Sequence, residues 1–202
     1  MTNNKAIILL SGGLDSVVSL SEAIKTYEIE FALTFDYGQK ALKQELKSSE
    51  EIAHIYNIKY KIIKVEWLEE LLYSDKNWVP NRNGVFINIA AAFAEKNGID
   101  NVIIGINREE GIDFKDNTKE FLDAINLELK HSTQNEVKVI APLINKDKKE
   151  TVKIGLENKI PFEKIYSCYS GNDRHCGECM SCKFLKNALS ENNRQDLINK
   201  LF

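Results

Sequence analysis

Residues 6–16 read Ala-Ile-Ile-Leu-Leu-Ser-Gly-Gly-Leu-Asp-Ser, and a helical pattern follows from Val17 to Tyr27. Ala6–Leu10 is apolar at every position and of strand length, which predicts a strand buried on both faces. Ser11-Gly12-Gly13-Leu14-Asp15-Ser16 then lies between the carboxyl end of that strand and the start of a helix. Adjacent glycines let the backbone turn tightly and aim N–H groups at a ligand. The helix adds its positive end, and Ser11 and Ser16 add hydroxyls. The result is an anion cradle, most simply for phosphate. It has neither the Gly-Lys-Ser/Thr ending of a Walker A loop nor the third spaced glycine of a dinucleotide fingerprint. An aspartate in an anion cradle calls for a cation, so Asp15 points to Mg²⁺, the usual companion of nucleotide phosphates.

Outward from this loop, short apolar runs alternate with helical patterns. Strands are expected at Phe31–Phe35, Tyr60–Val65, Val102–Ile106 and Val137–Ala141. Helices are expected at Leu42–Tyr56, at Val85–Glu95, around Phe121, Leu122, Ile125 and Leu129, and at Asp147–Asn158. Asn117 with Glu120, and Asp147 with Glu150, have capping-box spacing. This alternation predicts an α/β fold, a Rossmann-like parallel sheet with right-handed crossovers, whose ligand lies beyond the carboxyl ends of the strands. The 202 residues suit a single domain, 1–202, in which 166–202 forms a C-terminal metal-binding segment appended to the rest. Hydrophobic residues make up 43% and charged residues 28%, a soluble globular profile with net charge −3 and no broad basic field for nucleic acid. The start, Met1–Lys5, is polar, and no apolar run approaches the about 20 residues that span a bilayer. A cytoplasmic protein without a membrane partner is expected.

The four cysteines, Cys168, Cys176, Cys179 and Cys182, follow C-x7-C-x2-C-x2-C spacing. In a reducing compartment, clustered thiols bind metal more often than they form disulfides. Four thiolates suit a tetrahedral, closed, structural Zn²⁺. An iron–sulfur cluster is the rival, although the Cys-Pro that ends the ferredoxin pattern is absent. His175 is read as a bystander, and His54 and His131 as surface or packing residues.

The Ser-Gly-Gly-x-Asp-Ser loop resembles the signature of the N-type ATP pyrophosphatases. Together with the cysteines, three further stretches narrow the resemblance to the 7-cyano-7-deazaguanine synthase (QueC) family. They are Phe35-Asp36-Tyr37-Gly38-Gln39, Val79-Pro80-Asn81-Arg82-Asn83 with its apolar helix, and Ser167-Cys168-Tyr169. The resemblance implies an ATP-dependent carbon–nitrogen ligase. Such an enzyme adenylates 7-carboxy-7-deazaguanine, takes ammonia to the amide, and activates the amide with a second ATP to give the nitrile. It further implies that Leu10, Ser11, Gly12, Gly13, Leu14, Asp15, Ser16, Asp36, Tyr37 and Gln39 bind ATP with Mg²⁺. Asp15, Ser16 and Arg82 are then the catalytic set, and Arg82, Asn83 and Asp116 bind the substrate. A homodimer is implied as well. Two departures stand out. Lys40-Ala41 follows Tyr-Gly-Gln where many members have a His. The stretch Gly111–Thr118 keeps only Asp116 of a Ser-Gly-Tyr-Pro-Asp-Cys-Arg type loop.

Other readings remain open at this stage. The chain could adenylate a different carboxylate, on a small molecule or a protein terminus. It could thiolate tRNA, which the negative charge opposes, or it could be a nucleotide-binding zinc module without activity.

Overall fold

The computed structural model describes residues 4–72 and 79–202, so residues 1–3 of the polar start lie outside the described residues. Five strands form one parallel sheet: β1 (Lys5–Leu9), β2 (Glu28–Asp36), β3 (Lys59–Lys64), β4 (Asn101–Ile103) and β5 (Lys138–Ile140). Their order is β3-β2-β1-β4-β5. In β1, Ala6 and Ile8 enter one core cluster while Ile7 and Leu9 enter the other. A strand with helices on both sides has no solvent face, and its sequence accordingly lacks alternation.

The first face carries α1 (Leu14–Ala23), α2 (Leu42–Ile55) and α5 (Lys148–Glu157), and the second carries α3 (Arg82–Lys96) and α4 (Lys119–Ser132). A further helix, α6 (Met180–Glu191), starts just after Cys179 and contains Cys182, and α7 (Gln195–Leu201) follows it. Their Leu185, Leu189, Leu197 and Leu201 share the cluster of β1 and α1. These two helices thus pack into the first helical layer, while Cys168 and Cys182 share a smaller cluster with Ala41 and Tyr166. Among the described residues no helix is long and apolar enough to cross a membrane.

Boundaries differ from expectation where they bear on the site. α1 begins at Leu14, not Val17, because Gly13 takes the extended N-cap geometry (φ −76°, ψ 164°). Asp15 and Ser16 thus sit in the first helical turn, where an acid is favoured by the helix dipole. α3 begins at Arg82, three residues early, behind Asn81 in the left-handed region (φ 54°). Arg82 and Asn83 are therefore first-turn residues. The expected Asn117–Glu120 capping box is absent. Thr118 caps α4 by accepting from Phe121 N, and buried Asn117 bonds elsewhere. The Asp147–Glu150 box is present in both directions.

Candidate active site

The chain leaves β1 towards β2 on one side and meets β4 on the other, so sheet order reverses at β1. Crevices form beyond the strand ends at such a reversal. A cavity of about 530 Å³ opens there, lined from β1, β2, α3, the β4–α4 connection and the segment around Tyr166–Tyr169.

The Gly-Gly loop forms its floor. Gly12 has φ +78°, and a Cβ there would fall 2.5 Å from Ser48 Oγ and 2.8 Å from Ser49 N. Both conformation and space demand glycine. The Gly12 carbonyl accepts from Ser48 Oγ (2.9 Å) and Tyr166 N (2.9 Å), which ties the loop to α2 and to the cysteine segment. Gly105, just past β4, lets that strand end press on the loop, since its Cβ would lie 2.6 Å from Ser16 N. Ser11 Oγ donates to Ser16 Oγ (3.2 Å), and Ser16 Oγ donates to the Gly13 carbonyl (3.0 Å).

An ion cluster stands beside the loop. Lys148 Nζ donates to Asp15 Oδ2 and Glu110 Oε1, both at 2.7 Å, and Asn107 Nδ2 donates to Asp15 Oδ1 (3.0 Å). Lys148 is 5% exposed. Burial alone would neutralise it, but the two carboxylates outweigh that and hold its ammonium above the usual lysine range. Burial pushes Asp15 up, with Lys148 opposing. Glu110 is also penalised by burial, yet Lys148 holds it below the usual range. One cation between two carboxylates leaves the trio with a charge of −1 when all are ionised, an electrostatic preference for a further cation before a polyphosphate enters.

Arg82 lines the same cavity, close enough for its charge to favour the ionised form of Glu110. Its Nη1 donates to Tyr37 Oη (3.0 Å), and its guanidinium lies 5.6 Å from the Tyr37 ring centroid. Tyr37, Glu45 and Asp116 around it keep its charge secure against burial. Gln39 braces this wall, with Oε1 accepting from Tyr37 N and Nε2 donating to the Phe35 carbonyl and to Glu45 Oε2. Phe35 and Phe86 stack with centroids 4.0 Å apart, and Phe86 lines the cavity as a flat apolar panel.

The expected residues Leu10, Ser11, Gly13, Leu14, Asp15, Ser16, Tyr37, Gln39, Arg82 and Asn83 all line this cavity. Gly12, Asp36 and Asp116 do not; each acts from behind. Asp36 Oδ1 accepts from Gly38 N (3.4 Å). Asp116 is buried, accepts from Asn83 N (3.3 Å) at Oδ2, and takes Asn83 Nδ2 on its carbonyl (3.0 Å). It braces the first turn of α3 from behind the cavity lining. Sequence reasoning missed Lys148, Glu110, Asn107 and Gly105. A signal for Lys148 existed: a lysine in the first turn of a helix opposes the dipole, and the Asp147–Glu150 box places it there.

The four cysteine Sγ atoms lie within 4.8 Å of one another, and none is in a disulfide. Cys176 N and Ser170 N point at Cys168 Sγ (3.3 and 3.4 Å), and Cys179 N points at Cys176 Sγ (3.3 Å). Burial disfavours the Cys168 thiolate, but the Ser170 hydroxyl and the Cys176 and Ser170 N–H groups bring it down to about 6. Such a cluster can hold a metal. His175 is not among its ligand atoms; its Nε2 accepts from Ser167 N (3.1 Å).

The family model for queuosine biosynthesis protein QueC matches residues 5–75 and 72–193. The chain belongs to the QueC family. It is 42% identical to the 7-cyano-7-deazaguanine synthase of Methanosarcina mazei, over 88% of this chain and 90% of that one. It is 41% identical to that of Carboxydothermus hydrogenoformans, over 93% and 99%. Among solved structures, the fold of this QueC family member is shared with the U34-tRNA thiolase NcsA of Methanococcus maripaludis with its [4Fe-4S] cluster. That match has TM-score 0.57 and 19% identity, covering 98% of this chain and 70% of that one. It is also shared with the NH3-dependent NAD synthetase of Campylobacter jejuni, at TM-score 0.54 and 16% identity, covering 100% and 80%.

Proposed function

We propose that the chain is a 7-cyano-7-deazaguanine synthase that activates 7-carboxy-7-deazaguanine with ATP and amidates and dehydrates it with ammonia. The similarity to the curated synthases over nearly the whole chain supports the substrate. The observation that carries the ATP chemistry is the Gly-Gly loop at the sheet's reversal point, with Lys148, Asp15 and Glu110 on one side and Arg82 on the other.

A substrate carboxylate oxygen attacks the α-phosphorus of ATP, and pyrophosphate leaves. Ammonia adds to the acyl adenylate, AMP departs with the C–O bond, and a proton is lost to give the amide. The amide oxygen attacks a second ATP, pyrophosphate leaves again, and loss of AMP with two protons in all gives the nitrile. A carboxylate repels both an incoming phosphate and a nucleophile, so the protein's task is to hold like charges together and stabilise charge on the departing groups. The loop N–H groups and the N-terminus of α1 receive the departing pyrophosphate. Arg82, a rigid fork of donors with its charge secured, orients the substrate carboxylate. Phe86 offers a face to a planar ring. Asp15 and Glu110 are the carboxylates that would hold a Mg²⁺ accompanying ATP, which would offset phosphate charge there.

The four thiols fit one tetrahedral Zn²⁺, whose ligands at about 2.3 Å would stand about 3.8 Å apart. The Cys176 and Cys182 sulfurs are 3.9 Å apart. A closed zinc site of this kind would hold the segment and leave the chemistry to the cavity. A colourless preparation with one zinc per chain is the expected result, lost in Cys179→Ser; a brown one would mean iron and sulfide. Residues 1–202 act as one unit in this reading, in the cytoplasm and as a homodimer.

The test is one reaction containing protein, ATP, Mg²⁺, ammonium and 7-carboxy-7-deazaguanine, read by mass spectrometry. Nitrile with two AMP is expected, and Asp15→Ala should form none while keeping its metal. No AMP from folded, metal-loaded protein would overturn the reading. AMP only with some other carboxylate would favour the alternative acceptor that the divergent 111–118 stretch keeps in view.

A further inference from the structure

The cradle has a third hydroxyl, contributed from the far end of the chain. Ser167 lies beside Cys168, lines the cavity, and accepts from Leu14 N at 3.0 Å across 153 positions of sequence. Leu14 is the first residue of α1, a helix whose own N-cap, Gly13, has no side chain to offer. Ser167 therefore supplies the missing cap in trans. It also stands against the loop itself, its oxygen 3.5 Å from where a Cβ on Gly13 would be.

The hydroxyls differ in what their protons do. The Ser11 proton goes to Ser16 Oγ and the Ser16 proton to the Gly13 carbonyl. Ser167 Oγ only accepts among the described residues, so its proton is free to point into the cavity. Its backbone is fixed on both sides. Ser167 N donates to His175 Nε2 (3.1 Å), and Tyr166 N donates to the Gly12 carbonyl (2.9 Å).

We propose that Ser167 is a phosphate-binding residue of the ATP site. Its oxygen holds the Leu14 N–H, and its hydroxyl proton is donated to a β- or γ-phosphate oxygen of the bound triphosphate. The cysteine segment thereby takes part in nucleotide binding and does more than hold the fold. This rests on the reading of the loop as the triphosphate site.

The test compares Ser167→Thr, which keeps the hydroxyl, with Ser167→Val, which has the same shape without it. Affinities for α,β-methylene-ATP with Mg²⁺ and for AMP are measured by calorimetry, alongside metal content. The valine variant should bind the ATP analogue about tenfold more weakly, the size expected for a hydrogen bond to a charged group. It should bind AMP as the wild type does and keep its metal, and the threonine variant should match the wild type. Equal analogue binding by the two variants, or a parallel loss of AMP and analogue binding, would overturn the inference alone. A wild type that binds no analogue would overturn the ATP reading, and the inference with it.

Discussion

Lys148 breaks two local rules at once. It is a lysine in the first turn of a helix, and it is almost fully buried. Each is costly unless a specific partner compensates, and here Asp15 and Glu110 both do, at 2.7 Å. Lys148→Met should leave two carboxylates together in a site of low dielectric. Stability should fall by about 3 kcal/mol, the cost of breaking a buried pair from one side. AMP formation should fall by on the order of a hundredfold, since the cation held between Asp15 and Glu110 is lost beside the reacting phosphates. Chemical denaturation and an AMP assay on the same preparation check both. A variant with ordinary turnover would mean that Lys148 only props Asp15. The loop next to it was legible because its chemistry is local: two glycines, two serines and an aspartate in six residues. Lys148 and Glu110 were not, because their partners come from other strand ends and only the sheet order brings them together.

At the scale of elements, two of the helices that open onto the cavity, α1 and α3, share a device. Neither α1 nor α3 has a side-chain cap of its own. Ser167 caps the first, and the Asp116 carboxylate accepts from Asn83 N in the second. A local cap would occupy the N–H groups with a neighbouring side chain, whereas a distant cap joins each helix end to a loop that itself borders the cavity. The Asn117–Glu120 spacing misled for the same reason: Asn117 is drawn into this buried network with Asp116, and the N-cap falls one residue later, at Thr118. Asp116→Ala should therefore do more than destabilise the protein by the about 1 kcal/mol of a lost cap. Arg82 sits at the same helix end, so the KM for the carboxylate substrate should rise while the KM for ATP stays put. Steady-state kinetics with each substrate varied in turn separates the two, and an equal rise in both would assign Asp116 to the fold alone. Strands and helices up to Glu157 could be read from apolar periodicity. α6 and α7 are less legible, because α6 starts within the cysteine motif and the spacing of the thiols dominates that stretch, although Leu185, Leu189, Leu197 and Leu201 bury like any core residues.

At the scale of the whole molecule, the same sheet serves enzymes that act on tRNA and enzymes that act on small molecules, so the fold leaves the acceptor undecided. The 19% identity to the thiolase NcsA likewise carries only the architecture. Charge does discriminate. Binding to a nucleic-acid backbone draws most of its affinity from lysines and arginines that displace counterions. This chain has 27 lysines and arginines against 30 aspartates and glutamates. Several of its basic side chains are already committed to carboxylates, among them Lys5, Lys119, Lys164 and Arg194. Unfractionated tRNA should accordingly fail to bind at 0.15 M salt in a filter assay. At a hundredfold excess over the deazapurine it should not slow AMP formation either. Weak retention that appears only at low salt would be the ordinary non-specific contact of any protein with some surface lysines. Saturable binding at 0.15 M salt, together with tRNA-stimulated AMP release, would instead place the acceptor on RNA. In that event the similarity to the synthases would mark descent, and the cavity would have to admit a nucleotide held in a polymer, with the 111–118 stretch as the first surface to map.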